Sequence, residues 1–352
     1  GHDVFFIKPE AKEQLLQLKH DFQAEGKKDD PFELKYIIDN FVRNPEIGFV
    51  PTDSIVMTVD KAAVLRSGMK LPHGKDSIPD KMFISLRGKR ILTKSEMMVY
   101  EMLAHHNWTR PLYMSTTLGG DNQAGLDNYL MLEGLAARVT PFKLGDSGVD
   151  TERMYDNFMK KFRYGHIADP KVYVDQTVMR TCYTHRMRFA QLAQQLIKEG
   201  KRDKALKALE KCEQVLPQRQ VPYEVWSLGI DSKTGLLMMP ECYRELGKTK
   251  EAERILKAVA DRSLAYFDWY NSFSESRLSS MSGDIMQQYQ ILGMAIDGLQ
   301  KCKSPLAGVY IKRVDQLQRT IAGHVLISAM NARRAAAAAP GNGGEDEGDG
   351  DF

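Results

Sequence analysis

Twice in its second half the chain runs through the same local pattern. A helix-forming stretch ends in glycine, a short polar turn follows, and a second helix-forming stretch carries an alanine near its start. The first occurrence is Phe189 to Gly200, then Lys201-Arg202-Asp203-Lys204-Ala205-Leu206. The second is Glu241 to Gly247, then Lys248-Thr249-Lys250-Glu251-Ala252. Glycine ends a helix readily because it enters the left-handed conformation without a Cβ clash. The alanine lets the two antiparallel helices come close. The pattern restricts this half to packed helical hairpins, and from about Thr151 onward the chain reads as almost all helix.

The first half reads differently. Glu10 to Leu18 predicts a helix with Leu15, Leu18 and Phe22 on one stripe. Asp30-Pro31 predicts the N-cap and first turn of a second helix, with Phe32, Tyr36, Ile37 and Phe41 facing inward and Asn44-Pro45 ending it. Short β-branched or apolar runs predict strands at Ile55 to Val59, Met82 to Leu86, Pro111 to Thr116 and Leu135 to Val139. Asp60 is expected to cap a brief helix that stops at Gly68. Thr93 and Glu96 are spaced as a capping box and open another helix. Gly119 to Asn122 reads as a turn. Helices alternating with strands suggest one small mixed sheet with helices packed on it. The expected class is therefore α+β: a small mixed α/β domain over 1–148, then an α-helical domain over 149–334. The remainder, 335–352, is an alanine run followed by Gly, Asp and Glu. It cannot bury enough apolar surface to offset its ordering entropy and is expected to be a disordered acidic tail.

The 352 residues suit two domains at roughly 150 residues each. Lys and Arg total 49 against 46 for Asp and Glu, and no basic run marks a nucleic-acid surface. No stretch approaches the roughly 18–20 apolar residues that cross a bilayer, and the start lacks a signal-peptide pattern. The chain as given is expected neither to span a membrane nor to carry a signal, so it is cytosolic or relies on another segment for targeting. Cys182, Cys212, Cys242 and Cys302 form no C-x-x-C pair and have no His at metal spacing, so they read as buried small residues. A disulfide between two of them stays open if the compartment is oxidising.

The hairpins resemble tetratricopeptide repeats, a family with a 34-residue helix-turn-helix unit. Phe189, Leu192, Ala193, Leu196, Gly200, Ala205 and Pro217 match its fixed positions in the first copy. Leu236, Met239, Tyr243, Gly247, Ala252 and Leu256 match in the second, with Pro240 at a small-residue position and Leu264 in place of the closing proline. The two turn glycines are 47 residues apart, and an insertion from about Gln218 to Lys233 accounts for the difference. A second resemblance covers most of the chain. Its motifs run Phe49-Val50-Pro51-Thr52, Val59-Asp60-Lys61, Asn107-Trp108-Thr109-Arg110-Pro111-Leu112-Tyr113, Leu126-Asp127-Asn128-Tyr129, Leu132 to Ala136, and Met154-Tyr155-Asp156-Asn157. This order is similar to the soluble C-terminal region of bacterial multi-pass membrane proteins related to protein O-mannosyltransferases. The resemblance implies a segment outside the cytoplasm, on the periplasmic side of the inner membrane and tethered through an N-terminal transmembrane part. It implies that glycosyl transfer belongs to that other part.

His105 to Arg110 is the richest polar cluster. Adjacent histidines do not share a helix face, so no metal site is expected. The bland account is a helix end, where imidazoles suit the negative dipole, Trp108 packs and Pro111 starts a strand. The functional account is a ligand site of His106, Asn107, Trp108 and Arg110, joined by Asp127, Tyr129 and Glu133 to hold a sugar or peptide. No G-x-S-x-G, P-loop or G-x-G-x-x-G occurs, and nothing fixes two carboxylates at glycosidase separation. The expectation is a chain with no catalytic residues and no cofactor, serving as an accessory region that contacts a protein or glycan partner. One alternative is a free tetratricopeptide adaptor that binds a partner protein through exposed residues such as Gln191 and Gln194. Another is a carbohydrate-binding or carbohydrate-active protein using the α/β domain.

Overall fold

The computed structural model describes residues 4–72, 74–118, 123–144, 148–223 and 237–338. The turn expected at Gly119 to Asn122 and most of the expected insertion lie outside these residues. The chain forms two compact units, Gly1–Phe162 and Arg163–Phe352. The first mixes short strands and helices, and the described part of the second is entirely helical, so the class is α+β as expected.

In the first unit the order is β1 (Val4–Phe6), α1 (Lys12–Ala24), α2 (Leu34–Ile37), β2 (Ser54–Thr58), α3 (Lys61–Arg66), β3 (Lys81–Ser85) and β4 (Ile91–Thr93). Then follow α4 (Lys94–Ala104), β5 (Tyr113–Ser115), β6 (Leu130–Leu132), β7 (Ala136–Val139) and α5 (Thr151–Asp156). Both α2 and α5 widen into a π turn, at Ile38–Val42 and Asn157–Lys161. The four expected strands are present. The expected single mixed sheet is not. Three antiparallel pieces form instead: β1 with β4, β2 with β3, and β7 between β5 and β6. Among the described residues, parallel contact is limited to single bridges, such as Ile7 with Val50 and Leu132 with Val149. The reason is visible in β3, where Met82 and Ile84 are buried while Phe83 and Ser85 are exposed. Strands with one covered face suit antiparallel pairing, whereas parallel sheets need cover on both faces.

Local side chains fix the helix starts. Asp60 accepts from the Ala63 N–H at 2.9 Å. The Thr93 hydroxyl accepts from the Glu96 N–H at 3.3 Å, and the Glu96 carboxylate accepts from the Thr93 N–H at 2.9 Å, closing the capping box. The second helix starts later than Asp30-Pro31 predicts. Asp30 accepts from the Phe32 N–H at 3.2 Å, which closes a local turn, and the helix begins at Leu34. Such Asx turns compete with helix initiation for the same side chain. The main core gathers Leu34, Ile37, Ile55, Met82, Ile84, Leu92, Tyr100 and Leu103, and a smaller cluster holds Leu15, Phe32, Phe41 and Val56.

The second unit contains α6 (Gln176–Lys198), α7 (Arg202–Val215), α8 (Met238–Glu245), α9 (Thr249–Tyr270), α10 (Glu275–Ser280), α11 (Ser282–Lys301), α12 (Leu306–Leu317) and α13 (Ile321–Ala338). Helices α6 and α7 pack as a hairpin, as do α8 and α9, and α11 packs along α9. Gly200 and Gly247 sit at φ 77° and 76°. In each turn the next N–H reaches five residues back: Lys201 to the Leu196 carbonyl and Lys248 to the Tyr243 carbonyl, both at 2.8 Å. This is the Schellman arrangement, and Ala205 and Ala252 behind the turns are fully buried. No neighbour lies within 4 Å of a Cβ built at either glycine. Gly200→Ala and Gly247→Ala should therefore each lower stability by about 1–2 kcal/mol through the backbone alone. Urea unfolding checks this, and an unchanged midpoint would contradict it. Helix α13 takes in the alanine run to Ala338, and 339–352 lie outside the described residues.

Candidate functional site

The residues expected to share one ligand site take separate places. Trp108 is 1% exposed, at φ 60°, and belongs to the core. The edge of the His106 ring meets it at 4.8 Å between centroids. Burial holds the His106 imidazole below its usual range, and the Arg138 charge adds to this. Asn107 and Arg110 are exposed, with Asn107 accepting from the Thr109 N–H at 3.2 Å. Tyr129 is buried and donates its hydroxyl to the Phe83 carbonyl at 2.7 Å, so it ties the turn before β6 to β3. Asp127 is exposed on the turn before it.

Glu133 is engaged within the protein. Its carboxylate accepts from the Tyr113 hydroxyl at 2.6 Å, and both of its oxygens accept from Arg153 Nη1, at 3.1 and 3.2 Å. Arg138 lies 3.9 Å away and is 2% exposed. Arg153 also donates to the Gly68 carbonyl at 2.7 Å, Arg138 to the Ser67 carbonyl at 3.2 Å, and Asn157 to the Glu133 carbonyl at 2.7 Å. The network binds the β5–β7–β6 sheet to the end of α3 and to α5. Burial raises the Tyr113 phenol, and the hydrogen bond to Glu133 raises it further.

Of the expected ligand residues, His106 alone lines a polar cleft of this unit. The cleft has a volume of about 590 Å³. Its walls come from residues 28–40, from Met57 and Thr58 of β2, from Lys81 of β3, and from Leu103 and Ala104 at the end of α4. Asp30 receives Lys81 at 2.7 Å and Lys19 at 3.4 Å. Burial works against its charge, but the bonds from Lys81 and the Phe32 N–H outweigh this and hold the carboxyl below the usual range. Glu33 accepts from the Thr58 N–H at 3.2 Å and from the Thr58 hydroxyl. Asp39 pairs with Arg43 at 2.6 Å. The π turn keeps Ile38 and Phe41 buried while Asp39 and Asn40 face the solvent side. Asn40 donates to the Tyr36 carbonyl at 3.0 Å, and Phe22 packs edge-on against the Tyr36 ring at 5.8 Å. The carboxylates are thus fixed acceptors. The charged run Lys27-Lys28-Asp29-Asp30 before an apolar helix was the available sequence signal for this site.

In the second unit, Gln191 and Gln194 are half-buried, and Gln191 accepts from Arg188 at 2.7 Å. The exposure expected of this pair is therefore incomplete, because α6 turns both residues partly inward. Glu213 accepts from the hydroxyls of Tyr243 at 2.8 Å and Tyr223 at 3.3 Å and pairs with Arg254. Glu213, Tyr243 and Arg254 border a cleft of about 340 Å³ between α7, α8 and α9. Arg186 is 5% exposed and donates to the carbonyls of Leu216 at 2.7 Å and Val221 at 2.6 Å, and to that of Pro222. Its guanidinium lies 4.8 Å from the centre of the Tyr223 ring. Cys182, Cys212 and Cys242 are buried free thiols, and Cys302 is a half-buried one. Burial pushes Cys212 and Cys242 up to about 12. Among the described residues no group of three or more His, Cys, Asp or Glu is placed to hold a metal ion, and no helix is long and apolar enough to cross a membrane.

The fold defines a two-unit α+β protein: a strand-and-helix unit with a polar cleft, then a unit of packed helices. Residues 2–157 match the family model described as TMEM260-associated domain 2. Comparison with curated proteins and with solved structures gives no match.

Proposed function

We propose that this chain is a non-catalytic, extracytoplasmic accessory region of a membrane glycosyltransferase-like protein, and that it contacts a protein or glycan partner. The match of residues 2–157 to a TMEM260-associated domain carries the reading, since it supports an accessory domain of a membrane protein. The motif order from Phe49 to Asn157 supports the same placement. The engaged carboxylates of the cleft and of the Glu133 network suit recognition and structure better than proton transfer. Fractionation of the full-length gene product tests the placement. The expected result is recovery with the inner membrane, with this region cut by protease added from the periplasmic side. A free cytosolic product, shielded from that protease, would sink the reading.

A second reading is an adaptor that binds a partner protein through tetratricopeptide-like hairpins. The paired glycine turns at Gly200 and Gly247 favour it. A pull-down whose partners survive Gln191→Ala and Gln194→Ala together counts against that contact face.

A further inference from the structure

We propose that the cleft between residues 28–40, β2, β3 and the end of α4 binds a neutral polyhydroxylated ligand, a short oligosaccharide. The proposal rests on the reading of the chain as a non-catalytic interaction region and names the ligand class of its first unit.

Size comes first. A cleft of about 590 Å³ falls within the roughly 300–1,000 Å³ of ordinary ligand sites. Such sites are mostly lined by apolar side chains. Here eleven of the fourteen lining residues carry polar side chains, so a lipid or an aromatic ligand would strip water from them without returning hydrogen bonds.

Charge narrows the class further. Three lysines and four carboxylates line the cleft, and Lys19 and Arg43 pair with two of those carboxylates from just outside. The signs interleave and nearly cancel. An anionic ligand such as a phosphate or sulfate ester calls for a cationic excess, and a basic peptide calls for the opposite. A neutral ligand needs neither.

The hydrogen-bonding groups are fixed and mixed in kind. Lys81 and Asp30 stand 2.7 Å apart, so a donor and an acceptor are presented side by side. Neighbouring hydroxyls of a sugar each donate and accept, and can bridge such a pair. Lys81 has N–H groups beyond the one given to Asp30, and the Asp30 carboxylate has lone pairs to spare. Asn40 uses one N–H on the Tyr36 carbonyl and keeps its second N–H and its carbonyl oxygen. Tyr36, braced by Phe22, supplies a rigid aromatic wall against which the C–H face of a sugar ring can lie. A peptide would instead look for open apolar pockets to seat its anchor side chains. The apolar groups here offer none: Met57 and Leu103 are buried and Ala104 is small.

The test uses the full chain in calorimetry. Its probes are neutral hexose and N-acetylhexosamine oligosaccharides, their sulfated forms, and one acidic and one basic peptide. The expected result is saturable binding of at least one neutral oligosaccharide. Affinity should change by less than about twofold when salt rises from about 0.1 to about 1 M, because a neutral ligand leaves nothing to screen. Tyr36→Ala and Asn40→Ala should each weaken binding tenfold or more. Both positions are half-buried or exposed, and circular dichroism melting confirms that each variant folds. Binding of only the sulfated sugars or the peptides would overturn the proposal. So would an inert neutral panel, or sugar binding that survives both substitutions. A chain that fractionates with membranes but ignores neutral sugars loses this proposal and keeps the accessory reading. A sugar-binding chain found free in the cytosol does the reverse.

Discussion

Glu133→Ala is expected to cost the first unit about 3–5 kcal/mol, the range for stripping one partner from a buried ion pair. Glu133 is 5% exposed and Arg138 is 2% exposed. Without the carboxylate, the Arg138 guanidinium keeps only the Ser67 carbonyl among the partners described, and its charge stays buried. Tyr113 loses the acceptor of its hydroxyl in the same step, and Arg153 keeps the Gly68 carbonyl but loses the carboxylate. A domain's whole stability is about 5–15 kcal/mol, so a unit of this kind should be largely or wholly unfolded at moderate urea. Circular dichroism in a urea series measures the shift. Glu133→Gln keeps the shape and an acceptor for Tyr113, and should cost less than the alanine. A midpoint unmoved by Glu133→Ala would mean that Arg138 is neutralised by some other group.

Gly148→Ala comes next in size, at roughly 2–3 kcal/mol, the upper part of the usual cost of overpacking. A Cβ at Gly148 would stand 2.4 Å from the Leu130 carbonyl oxygen and 3.1 Å from Leu144 Cδ1. The first of these is backbone and cannot swing aside. Gly148 also accepts from the Leu132 N–H at 2.6 Å, and Asp150 donates to the Leu132 carbonyl at 2.9 Å. The clash therefore pushes the segment away from the strand it is paired with. At Gly200 the space is open and only the dihedral resists, so Gly148→Ala should move the urea midpoint further than Gly200→Ala. Equal effects would mean that β6 yields without strain.

What could be read in the sequence was what neighbouring residues settle among themselves. Thr93 and Glu96 lie three apart and bond only each other's ends, so the capping box needed no tertiary knowledge. Asp60 and the turn glycines are of the same kind, and the alternation of Met82 and Ile84 with Phe83 and Ser85 marks a one-faced strand. Strands β1, β4 and β6 have three residues each, too few for a period to appear, and only their partners make them strands. Asp30 shows how one residue type serves two ends, since its carboxylate closed a turn and an ion pair where a helix cap was expected. The polar cluster around Trp108 was visible as composition, but composition does not say which way a side chain turns. Trp108 and Tyr129 turned inward, and Glu133 found Arg138 on the next strand and Arg153 on α5. The charged run at Lys27 to Asp30 marks one wall of the cleft, but the sequence does not show the other stretches that close it.

Arg186 has a consequence for how the second unit breathes. One side chain from α6 holds the last carbonyl region of α7 and the strip after it, through Leu216, Val221 and Pro222. The amides of Gln220 and Val221 are bonded to the Pro217 carbonyl at 3.0 and 2.9 Å, in a turn outside any helix or strand. Turns of that kind ordinarily exchange their amide hydrogens with solvent by small local openings. Here the turn cannot open without releasing the guanidinium, and releasing it strands a cation in the interior. Gln220 and Val221 should therefore exchange with the slow amides of α6, as members of the same cooperative unit, although they lie in a turn.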